Sequence, residues 1–169
     1  MAMLEIQLVL AQVLTSAVRW DGSYPAECAG VTGEDAFACS EQLFWHAFQL
    51  DHAARPAAFR ALRALADREQ AAPTLDERRL ARLVFRTGQL GIALIAENGD
   101  FSPGPHVEAL LQKAVDLDPD RDVIIESWLY TTKINAAVIL GQDPSEHLDG
   151  LWALYERDKP AVAGTVMAA

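Results

Sequence analysis

The sequence predicts an all-α protein, and three observations support this fold class. Sustained alternation of apolar and polar residues, the pattern of a half-buried strand, is almost absent. Alanine, leucine, arginine, glutamate and glutamine, most of which favour helices, dominate the long segments. Clusters of glycine, proline and aspartate divide those segments at intervals that suit helices. We therefore expect about seven helices packed as α-α hairpins.

The first three predicted helices cover residues 3–20, 34–52 and 55–69. The first is apolar and amphipathic and ends at a turn cluster. Thr32 precedes the second, where its hydroxyl could cap the helix, and the aromatic content of this helix makes it a core candidate. Pro56 suits the first turn of the third helix, because a proline there removes no helical hydrogen bond.

The fourth predicted helix begins at a capping box formed by Thr74 and Glu77 and continues to about residue 98. Gly88 and Gly91 lie inside it, and each costs about 1 kcal/mol relative to alanine in a helix. Two glycines inside one helix indicate that another chain segment packs closely against the helix there, or that the helix kinks.

Three further helices are predicted at residues 105–117, 122–140 and 143–160. The middle one is apolar on most sides, which predicts that it is the central, most buried helix. We expect residues 1–160 to form one helical domain, with N-terminal helices over 3–70 and helix pairs over 74–160. Residues 161–169 are small and uncharged and predict a flexible tail.

The segment LQKAVDLDP, residues 111–119, resembles the end of a tetratricopeptide repeat. Leu90-Gly91 and Gly99-Asp100-Phe101 resemble the Leu-Gly pair and the inter-helix turn of that family, so the resemblance covers roughly residues 80–160. It implies stacked helix pairs with a peptide-binding groove between them. Pro73, Pro119 and Pro160, which could end successive units, lie farther apart than the 34 residues of that repeat. A generic orthogonal helical bundle is the alternative.

Composition and charge narrow the classes of function. The chain has 169 residues, 51% of them hydrophobic, and a formal net charge of −10, which suits one domain with a buried core. An acidic surface disfavours binding to nucleic-acid phosphates. Arginines are nevertheless concentrated in residues 55–86, where they outnumber the acidic residues. A basic ridge there could dock an acidic peptide, or it could pair with the acidic remainder of the chain.

The leading prediction is a non-enzymatic protein- or peptide-binding module, an adaptor or scaffold without a cofactor. Its candidate groove residues are Arg82, Arg86, Trp128, Lys133 and Asn135. A second hypothesis is an acidic immunity or antitoxin-type inhibitor of a basic partner, which the negative charge alone suggests.

A third hypothesis is a small helical enzyme or ligand sensor with a polar site at Glu41, His46 and His52. No catalytic motif supports it, because the sequence contains no GxSxG, GxxxxGK[ST] or GxGxxG. Aspartates alternate over residues 116–122 as in a calcium loop, but Arg121 stands where such a loop needs glycine. We therefore predict no metal, and an aspartate cap, Asp120 or Asp122, on the following helix.

Cys28 and Cys39 match no metal or redox motif, and a disulfide between them is left open. No run of eighteen apolar residues predicts a membrane span. Residues 1–17 resemble a signal peptide only in part, because they contain Glu5 and no lysine or arginine. We expect a cytoplasmic protein, with a secreted or periplasmic one as the alternative, and the oligomeric state is left open.

Overall fold

This computed structural model describes residues 31–166, and their side chains as far as Val162. Within that part of the chain the fold is all-α and contains no strand, as predicted. Its seven α-helices pack against one another. They are α1 Gly33–Trp45, α2 Arg55–Ala71, α3 Glu77–Asn98, α4 Gly104–Leu117, α5 Val123–Ile139, α6 Ser145–Arg157 and α7 Lys159–Val166. The helix predicted for residues 3–20 lies outside the described residues.

The central helix of the described residues is α3, which packs against α1, α2 and α4 and has ten buried residues. The prediction that residues 122–140 form the central helix is therefore wrong. In α5 only Ile125, Ser127, Leu129 and Ala137 are buried. Its apolar residues point in all directions, but α4, α6 and α7 cover only part of its circumference, so Val138 and Ile139 are exposed.

Two glycines allow α3 and α4 to pack closely. A Cβ atom on Gly88 would lie 2.7 Å from Cδ2 of Leu111, and one on Gly91 would lie 2.7 Å from Cγ2 of Val107. The segment expected to approach these glycines is thus α4, through its buried leucine and valine side chains. α3 continues from Glu77 to Asn98 without interruption.

The helix predicted over residues 34–52 changes character before its end. α1 stops at Trp45, a π-helical turn covers His46–Leu50, and a 3₁₀ turn covers His52–Ala54. Arg55 explains the widened turn, because its guanidinium donates to the carbonyl oxygens of Ala47 at 3.1 Å and Phe48 at 2.8 Å. Backbone carbonyls that accept hydrogen bonds from a buried side chain need not accept the regular hydrogen bond of an α-helix, so the turn can widen.

The cap of α3 differs from the predicted one. Asp76 is the N-cap residue, and its Oδ1 accepts a hydrogen bond from the backbone N–H of Arg79 at 2.8 Å. That bond, with the guanidinium of Arg79, lowers the pKa of the Asp76 carboxyl. Asp76 is two residues closer to the helix than Thr74, so it takes the capping role.

Thr74 instead connects three parts of the chain. Its hydroxyl donates to Oε2 of Glu69 at 2.7 Å and accepts from the N–H of Gly33 at 3.0 Å. The backbone N–H groups of Thr74 and Leu75 also donate to Oε2 of Glu69. Burial raises the pKa of Glu69, but these hydrogen bonds outweigh it and lower the pKa overall. A buried carboxylate thereby joins the end of α2 to the turn before α3.

The end of the described chain also differs from the sequence prediction. Residues 161–169 were predicted as a flexible tail, but α7 extends to Val166 and Val162 is fully buried. α7 packs against α5 and α6. A segment of small apolar residues can either fray or pack on a neighbouring helix. Here its contact with α5 and α6 stabilises the helical conformation.

Candidate functional site

An open groove of about 990 Å³ lies where α1, the start of α3 and the turn between α4 and α5 meet. One wall consists of the first turns of α3, and the other wall is the turn over residues 118–122. Apolar side chains from three separate elements form the floor: Phe37, Leu75 and Ile125. Leu75 and Ile125 are buried and Phe37 is half-buried, so the floor is part of the packed structure.

Two arginines of the α3 wall are engaged in ion pairs. Arg78 contacts Asp120 across the groove, with Nε 2.5 Å from Oδ2 and Nη2 2.8 Å from Oδ1. This hydrogen-bonded pair raises the pKa of the Arg78 guanidinium. Arg79 pairs with Asp76 and, at 3.0 Å, with Glu34. A two-point contact between planar groups fixes their relative position, so the Arg78–Asp120 pair ties the two walls together.

Arg82 is the third arginine of this wall, and it is exposed. It forms no ion pair and no hydrogen bond with any residue in the described part of the chain. Within the described residues, its charge is therefore not committed to a carboxylate. Arg82, which the sequence named as a candidate groove residue, is one of the residues that line this groove.

The aspartates of the opposite wall shape the turn. Asp118 is buried, and its two carboxylate oxygens accept the N–H groups of Asp120 at 3.1 Å and Asp122 at 2.6 Å. Asp122 is the N-cap of α5, and its Oδ1 accepts the N–H of Ile124 at 2.8 Å. The predicted aspartate cap is thus Asp122. Arg121 has a positive φ of 53°, a conformation that glycine adopts more readily.

Arg86 does not line this groove, although the sequence predicted it as a groove residue. Its Nε lies 3.2 Å from Oε1 of Glu41, and its Nη1 donates to Oε1 of Gln89 at 2.9 Å. The guanidinium carbon lies 4.4 Å from the ring centre of Phe44 and 4.7 Å from that of Trp45. An arginine held between a carboxylate and two rings joins α1 to α3 and has little freedom to bind a partner.

The other three predicted groove residues, all on α5, lie outside the groove lining. Trp128 packs edge-on against Phe85 with ring centres 6.2 Å apart. Lys133 donates from Nζ to the side-chain oxygen of Gln112 on α4 at 3.3 Å. Asn135 is exposed. Trp128 and Lys133 thus contact neighbouring helices.

The predicted polar site at Glu41, His46 and His52 is not assembled as one cluster. Glu41 pairs with Arg86, as described above. Nε2 of His46 lies 3.8 Å from Oδ2 of Asp51, and Nδ1 of His52 lies 3.6 Å from Oε1 of Glu97. Each residue therefore contacts a different acidic or basic partner. In the described part of the chain, no three histidine, cysteine or acidic side chains meet in a group that could hold a metal ion.

The prediction missed most of the groove. Phe37, the neighbouring residues Leu75 and Arg78, and Asp120 come from three separate segments, and nothing local in the sequence joins these segments. One signal was present, because Arg78, Arg82 and Arg86 recur at the spacing of one helical face. That spacing places the three arginines on one side of α3, but it does not show which of them form ion pairs.

Cys39 is half-buried on α1 and is disulfide-bonded. Its predicted partner, Cys28, lies outside the described residues, so the pairing of Cys28 with Cys39 stays a prediction. None of the helices within residues 31–166 combines the length and apolar character needed to cross a membrane.

The fold and the groove define a class: an all-α helical bundle with an apolar-floored, charged groove on its surface. No family model, no curated protein and no solved structure matches this chain. The resemblance to tetratricopeptide repeats therefore stays a hypothesis that rests on the sequence.

Proposed function

We propose that this chain is a non-enzymatic protein-binding module that holds a peptide segment of a partner protein in the groove between α3 and the α4–α5 turn. The observation that carries the proposal is an exposed arginine, Arg82, in the same groove as an apolar floor. Most other charged groups of the walls are committed to one another or to backbone N–H groups, and Glu77 lies in the first turn of α3.

The chemistry of this groove suits a segment with an apolar anchor next to an acidic residue. An apolar side chain placed on Phe37, Leu75 and Ile125 would gain about 25 cal/mol per Å² of area removed from water. A neighbouring carboxylate would pair with the guanidinium of Arg82 in two-point geometry. The Arg78–Asp120 contact joins the walls before any ligand binds, which reduces the ordering cost of association.

The close contact between α3 and α4 supports a tetratricopeptide-like helix pair as the scaffold of the module. Gly88 and Gly91 allow that contact, and Gly91 belongs to the Leu-Gly pair on which the resemblance rests. A catalytic role has less support, because the residues of the alternative polar site each contact a different partner.

The test begins with an array of peptides of about twelve residues, each with one leucine or aromatic anchor beside glutamate or aspartate. Fluorescence anisotropy then measures the affinity of the best-binding peptide for the protein and for Arg82→Glu. We expect binding to weaken at least about tenfold, which corresponds to about 1.4 kcal/mol.

The matched control is Arg60→Glu, which makes the same change of charge. Arg60 is an exposed residue of α2 and does not line the groove. We expect this variant to bind within about twofold of the unchanged protein, because charge pairs at a distance are screened by salt. An array without binders, or equal losses for the two variants, would contradict the proposal.

A further inference from the structure

The end of the molecule formed by α5 and α6 exposes an unusual number of large apolar side chains. Leu148 and Trp152 on α6 are 47% and 63% exposed. At the end of α5, Val138, Ile139 and Leu140 are 61%, 50% and 69% exposed. Five of the nine large apolar side chains exposed in the described residues thus fall within residues 138–152. Such a concentration marks an interaction surface more often than scattered exposure does.

The side of α6 that packs against the rest of the protein is a different one. A Cβ atom on Gly150 would lie 2.3 Å from the ring of Tyr130 on α5, and Leu154 is buried. Leu148 and Trp152 are four residues apart, so they lie on one side of α6, about 160° around the helix from Gly150 and Leu154. We call Leu148, Trp152 and the exposed end of α5, residues 138–140, the apolar end surface.

Acidic groups border this surface. Asp143 lies in the turn before α6 and Asp149 lies on α6, about 80° around the helix from Leu148 and Trp152, and neither forms an ion pair with a described residue. No lysine or arginine occurs between Lys133 and Arg157. The hydrogen bonds from Ser145 favour the charged form of Asp143 and lower its pKa. The surface is therefore apolar in the middle and negative at its edge.

We propose that the apolar end surface docks a positively charged amphipathic helix of a partner protein. The apolar stripe of such a helix would cover Leu148 and Trp152, and its lysines or arginines would face Asp143 and Asp149. Charge disfavours two other occupants. A second copy of this surface would bring like charges together, and an anionic lipid surface would repel the same carboxylates.

This site is separate from the groove and prefers a ligand of the opposite charge. The proposal therefore goes beyond the proposed function and does not depend on it. A chain with both sites would contact an acidic segment at α3 and a basic helix at α6.

The probe for this site is a synthetic amphipathic helix of about fourteen leucines and lysines, with a leucine–glutamate helix of the same pattern as control. Isothermal titration calorimetry measures binding to the protein at low and at high salt. We expect the leucine–lysine helix to bind, with an affinity that falls as salt rises, and the leucine–glutamate helix not to bind. Equal binding of the two helices would overturn the proposal.

Two pairs of variants localise the site. We expect Trp152→Ala to weaken binding of the leucine–lysine helix at least about tenfold, and Phe101→Ala, which removes another exposed ring, to change it less than about twofold. Asp149→Lys should likewise weaken it more than Asp67→Lys, which changes an exposed aspartate of α2. Circular dichroism checks that all four variants are folded.

Arg82→Glu, which tests the groove, should leave binding of the leucine–lysine helix intact. If Trp152→Ala and Phe101→Ala behave alike, the helix binds by general charge attraction and the proposal fails. Analytical ultracentrifugation provides the remaining test. A dimer that dissociates on Trp152→Ala would show that a second copy covers the surface, which also overturns the proposal.

Discussion

The helix pairs α3–α4 and α5–α6 differ in a way that their composition does not suggest. α5 is the more apolar of the two leading helices, yet α3 is the more buried one. α3 has neighbours on several sides, and two of its glycines let α4 approach closely. α5 also contacts three helices, but α4, α6 and α7 leave part of its circumference uncovered, and the outer apolar residues of α5 and α6 remain at the surface. An apolar helix is buried only where other elements reach it, so hydropathy alone does not locate the core.

The largest difference between the two pairs should appear when one large apolar side chain is removed from each. Leu90→Ala empties a fully buried position in α3, and we expect it to lower the free energy of unfolding by about 2–5 kcal/mol. Trp152→Ala removes an exposed ring from α6 and should change that free energy by less than about 0.5 kcal/mol. Urea denaturation followed by circular dichroism measures both. Similar losses would show that α6 belongs to the same core as α3.

Adding a side chain at Gly88 should have the next largest effect. In Gly88→Val the new atoms would overlap Leu111, which is fully buried, so we expect a loss of about 1–3 kcal/mol. Gly104→Val at the start of α4 is the control, because apart from its chain neighbours and the nearby backbone of its own helix no atom lies within 4 Å of its Cβ position. Thermal unfolding compares the two variants. A neutral Gly88→Val would mean that α3 and α4 can separate without cost.

A smaller, pH-dependent effect on stability is expected from two carboxylates whose pKa values are lowered in the folded protein. Glu69 is buried beside α3, and Asp143 is exposed in the turn before α6. We expect Glu69→Gln to cost about 1–2 kcal/mol, because the amide replaces a charged acceptor of three hydrogen bonds, and Asp143→Asn to cost less.

The sign of the pH effect follows from the direction of the shift. A carboxyl whose pKa is lowered in the folded protein adds stability above its unfolded pKa, and that stability is lost as the pH falls through the lower, folded pKa. The loss caused by Glu69→Gln should therefore be complete at pH 6 and should shrink as the pH falls below about 4.5. Unfolding curves for both proteins from pH 6 to pH 3 measure this. A loss that is constant over this range would show that the charge of Glu69 contributes nothing.

Several features of this protein are local, and local patterns predicted them. Pro56 in the first turn marked the start of α2 at Arg55, and the turn around residue 100 marked the gap between α3 and α4. The aspartates after residue 118 were interpreted as a helix cap, and Asp122 fills that role. Such predictions succeed because a cap or a turn depends on hydrogen bonds within a few residues.

The candidate site was predicted less well, because its residues depend on distant partners. Arg82 and Arg86 are equivalent in the sequence, since both lie on one side of α3. Arg86 is enclosed by Glu41, 45 residues earlier, and by the rings of α1, while Arg82 meets no described partner. The two walls of the groove meet through Arg78 and Asp120, which are 42 residues apart.

From the order of its residues alone, this chain specifies helices, most of their ends and an uneven distribution of charge. Those properties follow from backbone hydrogen bonding and side-chain spacing along one segment, which need no other segment. The identity of the innermost helix, the enclosure of Arg86 and the availability of Arg82 and Trp152 arise only when the helices pack. Each depends on which surfaces meet, because solvent exposure and ion pairing are properties of neighbours in space.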